Sequence, residues 1–238
     1  MRGLFVTGTD TEVGKTVVAS AIAATLASRG ERVATFKPAV TGLTGPQDGL
    51  PDHELLSRSA QSSQAAEAVA PYRFGPPVSP HFAAELAGIE IGASHLVACA
   101  ESAAADADAL VTEGVGGLMV PLCEGYLVRD FAAELGLPIV IAARPGLGTI
   151  NHTLMTIECA RARGLYVTAV VITPWSRFPE PIERSNRSTI ERLGDVETFG
   201  LPRVEIADRL CPVDGLPVER WVGRLRTADP AASYASAV

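Results

Sequence analysis

Short apolar runs recur along this chain, and helix-like segments separate them. Two runs, "PIVIA" at 138–142 and "VTAVVI" at 167–172, are apolar almost throughout, which is typical of parallel strands buried on both faces. Alternating strands and helices predict an α/β fold with a doubly wound, mostly parallel sheet. The predicted strands are 4–6, 32–36, 109–112, 138–142, 167–172 and 197–199. The predicted helices are 15–28, 52–59, 95–105, 128–135, 150–163 and 181–193.

The length of the chain suits one hydrophobic core. It has 238 residues, of which 47% are hydrophobic and 20% are charged, and chains usually divide into domains only beyond about 250–300 residues. We therefore expect a single domain over 1–227. The Gly- and Pro-rich stretch 41–52 indicates a surface loop, and 228–238 indicates a flexible C-terminal tail.

Charge and cysteine content disfavour several classes of protein. The formal net charge is -7 and no run of Lys or Arg occurs, so we expect neither nucleic acid nor an anionic membrane as a partner. The N-terminus lacks a secretory apolar region, and no stretch approaches the ~18 apolar residues of a membrane span. We predict a cytoplasmic location. The cysteines form no Cys-x-x-Cys pair and are expected to be core thiols: Cys99, Cys123, Cys159 and Cys211.

The stretch "GTDTEVGKT" (8–16) predicts a phosphate-binding loop. Gly14, Lys15 and Thr16 match the closing half of a P-loop, and the loop lies between an apolar strand and a helix, as it must. Five residues rather than four separate Gly8 from Gly14. Loop N–H groups would face the β-phosphate, Lys15 the transferred phosphoryl group, and Thr16 a Mg²⁺ ion. The expected fold is that of P-loop nucleoside triphosphate hydrolases, although a glycine turn that merely joins strand to helix remains an alternative.

Three further polar residues are predicted near this loop, because ligands bind beyond the carboxyl ends of parallel strands. Lys37 follows the second strand and would supply a second cation, or it is simply solvated. Glu113 follows the third strand as a Walker B acid does, or it is an N-cap or a solvated turn acid. Asp52 precedes "HELL" and is either a metal ligand or the N-cap of that helix.

Five motifs follow one another along the chain from the first strand to about Thr156. They are "VTGTDTEVGKTV" (6–17), "KPAVTG" (37–42), "PVSPH" (77–81), "EGVGGLMVPL" (113–122) and "LGTINHTLMT" (147–156). In this order they resemble the motifs of the dethiobiotin synthetase family. The resemblance implies an ATP- and Mg²⁺-dependent ligase acting on 7,8-diaminopelargonic acid and CO₂. In such an enzyme one amine forms a carbamate, the carbamate oxygen attacks the γ-phosphate, and the second amine displaces phosphate to close the ureido ring.

The resemblance also implies site residues by matching position. The family usually has Ser where Thr41 stands, so the hydroxyl is kept. Around the carbamate and γ-phosphate it implies Lys15, Lys37, Thr11 and Thr41. For Mg²⁺ it implies Thr16, Asp52 and Glu113. For the nucleotide it implies Gly8, Glu12, Val13, Gly14, Lys15, Thr16 and Val17.

Members of this family are homodimers in which the substrate carboxylate reaches the neighbouring subunit. By position, Gly116 of one chain and Thr149, Ile150 and Asn151 of the other would receive it. N–H groups at a helix start suit a carboxylate, although Asn151 is alternatively a plain helix cap.

The chain departs from the family pattern after the fifth strand. Thr173 and Pro174 stand where an Asn usually contacts adenine, and they cannot reproduce the paired donor and acceptor of an amide. Base selectivity is therefore in question. The segment "GLPRV" (200–204) resembles the family's second base-side segment, through which Gly200 and Pro202 would contact the base.

Two acids within the loop, Asp10 and Glu12, suit an amine substrate. They would orient an ammonium group, accept a proton or pair with Lys37.

The sequence leaves two alternative functions. An amidoligase of related fold usually carries an added glutaminase domain. A partition-type switch ATPase acting as a scaffold carries a second lysine five residues before the P-loop lysine, where this chain has Asp10.

Overall fold

The computed structural model describes residues 2–44, 49–206 and 208–224. The predicted tail 228–238 and the domain boundary at 227 lie outside the described residues. The strands are β1 (Arg2–Gly8), β2 (Val33–Phe36), β3 (Ala39–Val40), β4 (Tyr72–Arg73), β5 (Ala109–Glu113), β6 (Pro121–Cys123), β7 (Tyr126–Leu127), β8 (Ile139–Ala143), β9 (Val167–Ile172), β10 (Thr198–Gly200) and β11 (Gly223–Arg224). The helices are α1 (Lys15–Ala27), α2 (Asp52–Ser59), α3 (Ala66–Val69), α4 (Pro80–Ala87), α5 (Ala93–Ala104), α6 (Val128–Leu135), α7 (Thr149–Ala162), α8 (Pro181–Gly194) and α9 (Val218–Trp221).

The main sheet is predominantly parallel. Its order across the described residues is β10-β9-β8-β1-β5-β2, with each neighbouring pair parallel. The seventh strand, β11, pairs antiparallel with the start of β1, where Arg2 faces Arg224. Since the six parallel strands run in one direction, their carboxyl ends meet at one edge of the sheet.

Both faces of this sheet are covered, as β8 illustrates. Its residues are fully buried and alternate between two apolar clusters. Ile139 and Ile141 belong to the cluster that α4 to α8 complete, whereas Val140 and Ala142 belong to the one that α1, α2 and α9 complete. Side chains of a strand alternate between faces, so the apolar run requires two layers of helices. The predicted doubly wound α/β fold is confirmed.

All predicted strands and helices are present, with ends within two residues of the predicted ones. The elements that were not predicted are short, apart from α4. That helix begins with Pro80 directly after Ser79, a start signal that sequence reasoning can use but that was missed. Very short strands such as β3 and β4 carry too few residues to show a period.

No helix within the described ranges is both long and apolar enough to cross a membrane. The expectation of core thiols is wrong for Cys211, and the other three cysteines pack against the margin of a core cluster without lying inside it. Cys99, Cys123 and Cys159 are half-buried, and Cys211 is exposed.

Candidate active site

The loop between β1 and α1 depends on glycine at both ends. Gly14 has φ +87°, a left-handed conformation, and forms the N-cap of α1. A Cβ on Gly14 would lie 2.6 Å from Cγ2 of Thr173, and one on Gly8 would lie 2.7 Å from Cγ2 of Val13. At Gly14 the loop lies close to the end of β9, and at Gly8 it packs against Val13, a residue of the same loop. Neither position has room for a side chain, so the main chain can form the tight turn of a phosphate-binding loop.

Lys15 is the first residue of α1 and is only 7% exposed. Its Nζ donates to the main-chain oxygen of Asp10 at 2.8 Å. The side chain thus curls back over the loop instead of extending into solvent. Burial lowers the pKa of Lys15 from its ordinary value, and the neighbouring carboxylates only partly oppose this shift.

Lys37 lies just beyond β2 and is 4% exposed. Its Nζ donates to Oε1 of Glu113 at 2.7 Å and forms an ion pair with Oδ2 of Asp52. Burial alone would lower the pKa of Lys37, but the two carboxylates outweigh it and raise that pKa. Lys37 is therefore a protonated, buried cation, and the interpretation of a simply solvated lysine is wrong.

Glu113 ends β5 and is completely buried. Its Oε1 accepts hydrogen bonds from Lys37 and, at 2.8 Å, from Oγ1 of Thr16. Its Oε2 is buried and has no hydrogen-bond partner. Burial raises the pKa of Glu113, with Lys37 opposing the shift. The alternatives of an N-cap or a solvated turn acid are wrong, because this carboxylate terminates a strand and points into the site.

Asp52 is the first residue of α2, whose N-cap is Pro51, and no side-chain cap bond is formed. Its Oδ1 accepts from Oγ1 of Thr16 at 3.0 Å, while Oδ2 pairs with Lys37. Burial works to raise the pKa of Asp52, but Lys37 and Thr16 outweigh it, and the pKa is lowered. The alternative of an N-cap is wrong, and the ionised carboxylate faces the P-loop.

Thr16, Asp52 and Glu113 together fit a magnesium ion. One hydroxyl and two carboxylates converge, and the unpartnered Oε2 of Glu113 leaves one buried acceptor for a cation. No group of three or more His, Cys, Asp or Glu in the described ranges is arranged to hold a metal by itself. Two carboxylates beside a P-loop suit Mg²⁺, which commonly uses one or two carboxylates together with phosphate oxygens and water.

The two loop acids do not pair with Lys37. Asp10 Oδ2 forms an ion pair with Arg144 at 3.2 Å, and its Oδ1 accepts from the N–H of Thr11 at 2.7 Å. Glu12 is exposed and has φ +53°. The hypothesis that either acid positions Lys37 is therefore wrong. Arg144, just after β8, was not predicted, although its place beyond a strand end was a usable signal.

The other residues implied around the phosphates take different positions. Thr11 is exposed at the tip of the loop, whereas Thr41 is half-buried just after β3. Val13 is 1% exposed and belongs to the core cluster beneath the loop. Val17 is half-buried and packs against the same cluster. The two valines support the loop through packing, and any contact with nucleotide from this pair comes from their main chains.

The residues implied for the nucleobase follow β9 and β10, which are neighbours in the sheet. Thr173 is buried against Gly14, so its methyl group faces the P-loop. Pro174 and Pro202 are exposed. Trp175 was not assigned a role, yet its indole packs directly on Gly200 and a side chain there would overlap the ring. The main-chain N–H of Trp175 donates to the carbonyl of Leu201 at 2.7 Å, which ties the two segments together.

The residues implied for the substrate tail lie at the start of α7 and after β5. Gly148, with φ +91°, is the N-cap of α7, so Asn151 is not a cap. Thr149 is buried, Ile150 half-buried and Asn151 exposed. Gly116 has φ +59°, and a Cβ there would meet Val120 at 2.7 Å. The open start of α7 therefore presents main-chain N–H groups and an exposed amide.

Comparison with solved structures identifies the fold. The MinC:MinD cell division complex of Aquifex aeolicus matches with a TM-score of 0.54 at 14% identity, over 86% of this chain and 82% of that one. A putative plasmid partition protein of Borrelia burgdorferi, solved with AMPPNP, matches with a TM-score of 0.53 at 10% identity, over 92% and 94%. At such identities the likeness shows the P-loop ATPase-like fold alone.

Sequence comparison is more specific. The family model described as "AAA domain" matches residues 2–207. The ATP-dependent dethiobiotin synthetase BioD of Bacillus subtilis strain 168 is 38% identical over 201 residues, which cover 84% of this chain and 87% of that protein. The protein of the same name from Anaeromyxobacter dehalogenans strain 2CP-1 is 42% identical over 84% of this chain and 89% of its own. With the motifs and the site geometry, these matches mean that the chain belongs to the family of ATP-dependent dethiobiotin synthetases.

Proposed function

We propose that this chain is an ATP-dependent dethiobiotin synthetase. It forms C–N bonds as a cyclo-ligase, taking 7,8-diaminopelargonic acid and CO₂ to dethiobiotin and releasing ADP and phosphate. The observation that carries the proposal is the cluster at the P-loop in which Asp52 and Glu113 both accept from Thr16 and both pair with Lys37. This arrangement suits the joining of two anions, a carbamate and the γ-phosphate, which repel each other unless cations lie between them.

The two lysines have different tasks in this reaction. Lys15 is held by a single main-chain acceptor, the carbonyl of Asp10, so it is free to turn its ammonium group to the γ-phosphate. Lys37 is instead held by two carboxylates, those of Asp52 and Glu113. In the proposed reaction it would stabilise the carbamate oxygen that attacks the γ-phosphate. Once the mixed anhydride forms, the second amine displaces phosphate and closes the ring. Thr11 and Thr41 would donate hydroxyl hydrogen bonds to the same oxygens.

Magnesium is the proposed cofactor. When bound to ATP it neutralises charge on the β- and γ-phosphates and aligns them for transfer. Thr16, Asp52 and Glu113 would hold it. Asp52 is ionised through its contacts with Lys37 and Thr16, so this chain supplies at least one charged oxygen ligand without a change of protonation.

We also propose that the active form is a homodimer. Exposed apolar side chains at the start of α7 and beside it support this, since a second copy would cover them: Leu147 is 92% exposed, Met155 63% and Met119 57%. Arg129 contacts both Sδ of Met119 at 3.2 Å and Sγ of Cys159 on α7 at 4.0 Å. Met119 and α7 therefore form one continuous surface, on which the tail site at Thr149–Asn151 of one chain would meet Gly116 of the other. The cytoplasm is the proposed location.

The proposed function is tested by phosphate release from MgATP, with and without 7,8-diaminopelargonic acid and bicarbonate. We expect release only when both are present, together with dethiobiotin by mass spectrometry. If the rate of phosphate release does not depend on the diamine, the proposed ligase activity is wrong.

The shared site is tested by mixing two variants that are each inactive, Lys37→Ala and Asn151→Ala. If the tail crosses to the neighbouring subunit, a mixed dimer contains one intact site and regains part of the wild-type rate. Two copies of Lys37→Ala remain inactive under the same mixing and serve as the control. If the two variants exchange subunits and the mixture regains no activity, the proposal of a site shared between subunits is wrong.

A further inference from the structure

Two neighbouring polar residues of α8 contact two different segments: Asn186 contacts the loop after β8, and Arg187 contacts the start of β10. Asn186 donates its Nδ2 hydrogens to the carbonyls of Pro145 at 3.0 Å and Gly146 at 3.1 Å. Arg187 donates from Nε to Oγ1 of Thr198 at 2.9 Å and from Nη2 to its carbonyl at 2.6 Å. Consecutive residues of a helix point about 100° apart, so one turn of α8 reaches both the loop after β8 and the strand β10.

The Asn186 contacts fix the connection from β8 to α7. Asn186 is only 6% exposed, and a buried amide is costly unless its donors are used. The two carbonyls it holds follow Arg144, which forms an ion pair with Asp10 of the P-loop. They precede Gly148, the N-cap of α7. Asn186 therefore holds the short loop that joins the P-loop side of the site to the start of α7.

The Arg187 contacts fix the end of the sheet where the nucleobase is expected. Its guanidinium carbon lies 5.4 Å from the ring centroid of Trp175. Trp175 in turn rests on Gly200. Arg187 thus holds Thr198, in the strand that leads to Gly200, and also covers the indole. These contacts order the segments after β9 and β10 as one layered unit.

We propose that Asn186 and Arg187 are positioning residues for two different substrates. Asn186 sets the loop that presents the start of α7 to the carboxylate tail of the diamine. Arg187 sets the Trp175–Gly200 layer against which the nucleobase lies. The inference rests on the proposed function for the identity of the diamine, but the nucleotide half depends only on the P-loop fold.

A purely structural role for these residues makes a different prediction. If they only anchored α8 to the sheet, any substitution would weaken both substrates alike or lower stability without changing either KM. Positioning instead predicts a split, in which each substitution affects one substrate. The split is therefore the quantity to measure.

The experiment compares Asn186→Asp and Arg187→Ala with wild type in the full-length protein. Asn186→Asp keeps the shape but removes the two donors, and Arg187→Ala removes both the hydrogen bonds and the cover over Trp175. Ser188→Ala, at the next and exposed position of α8, is the matched control. The readouts are KM for 7,8-diaminopelargonic acid, KM for ATP, and the dissociation constant of MgADP by calorimetry, which needs no turnover.

For Asn186→Asp we expect the KM for the diamine to rise about tenfold or more, with MgADP binding within about twofold of wild type. For Arg187→Ala we expect MgADP binding to weaken about tenfold, with the KM for the diamine nearly unchanged. If Asn186→Asp does not fold, Asn186→Ser, which keeps one donor, replaces it and should show the same split to a smaller degree.

Equal effects on both substrates, or no effect on either, would overturn the inference. If wild type shows no diamine-dependent turnover, the proposed function fails and the Asn186 assignment falls with it. In that case MgADP binding still decides the Arg187 assignment. If wild type turns over and Asn186→Asp behaves like Ser188→Ala, the inference alone is wrong.

Discussion

Nζ of Lys37 lies 2.7 Å from Oε1 of Glu113, and the two side chains are 5% and 0% exposed. A buried pair of this kind is held together by its geometry, since each charge is costly to bury alone. Removal of Lys37 leaves Glu113 without an ion-pair partner, whereas removal of Glu113 leaves Lys37 with Asp52 alone. Substitutions at this pair must therefore be followed in both activity and stability.

Replacement of Lys37 by Ala should lower turnover about 100-fold or more, because a cation is lost where the transition state is most negative. The free energy of unfolding should fall by roughly 3 kcal/mol, since Glu113 keeps a buried carboxylate without its partner. Saturating phosphate-release rates and urea unfolding measure the two effects. Arg58→Ala is the control, because Arg58 pairs with Glu54 on the exposed side of α2. Wild-type turnover in Lys37→Ala would exclude Lys37 from the site.

Substitution of the metal-facing acids should change the magnesium requirement. In Glu113→Gln and Asp52→Asn we expect the Mg²⁺ concentration for half-maximal rate to rise about tenfold or more, because each variant removes a charged oxygen ligand. A magnesium titration at fixed ATP measures this. Glu54→Gln, an acid of the same helix that pairs with Arg58, should titrate as wild type. Unchanged requirements in both site variants would contradict the assigned ligands.

Selectivity for the nucleobase should be weak. Thr173 turns its methyl group onto Gly14, and no side-chain amide follows β9 to read the base. Strong discrimination, by factors of about 10⁴, requires a site that hydrogen-bonds the distinguishing groups. We therefore expect kcat/KM for GTP within about tenfold of that for ATP. In Thr173→Asn we expect kcat/KM for ATP to exceed that for GTP by a larger factor. A wild-type preference above about 1000-fold would show that the main chain after β9 and β10 reads the base alone.

The ion pair at the opposite edge of the sheet gives a pH-dependent contribution to stability. Asp108 accepts three hydrogen bonds from Arg32, two from the guanidinium and one from the main-chain N–H. They lower the pKa of Asp108 to about 2. The folded value lies below the unfolded one, so the stabilisation is complete above about pH 5 and is lost as pH falls through the range from 3.8 to 2.

Asp108→Asn should therefore be less stable than wild type at pH 7, and the difference should shrink as pH falls towards 2. Urea unfolding at pH 7, 5 and 3 measures it. Asp106→Asn changes a nearby exposed acid and should show little difference at any of these values. A difference for Asp108→Asn that stays constant with pH would mean that its carboxylate does not stabilise the fold through this pair.

Much of the fold follows from the sequence, because the long elements carry a strong periodic signal. The strands "PIVIA" and "VTAVVI" could be assigned as buried parallel strands from their composition alone. The place of Glu113 and Asp52 beside the P-loop could be predicted from the sequence, because each lies beside a motif or at a strand end. Glu113 follows an apolar run, and Asp52 opens a helix after a Gly- and Pro-rich loop.

The contacts that were missed depend on positions far apart in the chain. Asn186 and the carbonyl of Pro145 are 41 positions apart, and Arg144 and Asp10 are 134 apart. Nothing in the local sequence of α8 distinguishes Asn186 from any other polar residue of an amphipathic helix. Likewise, Lys37 was the only cation considered as a partner for the loop acids, because sequence cannot tell whether the tip of the loop faces β2 or β8, and Asp10 pairs with Arg144.

Thr16 and Glu113 lie 97 positions apart in the chain. This separation links the stability of the protein to nucleotide binding. Their site exists only when β1, β5 and α1 are assembled, so MgATP binds the folded chain and not the unfolded one. By mass action, ligand at about 100 times its dissociation constant adds about 2.7 kcal/mol to the folded state. The melting temperature of this protein should therefore rise with the concentration of nucleotide.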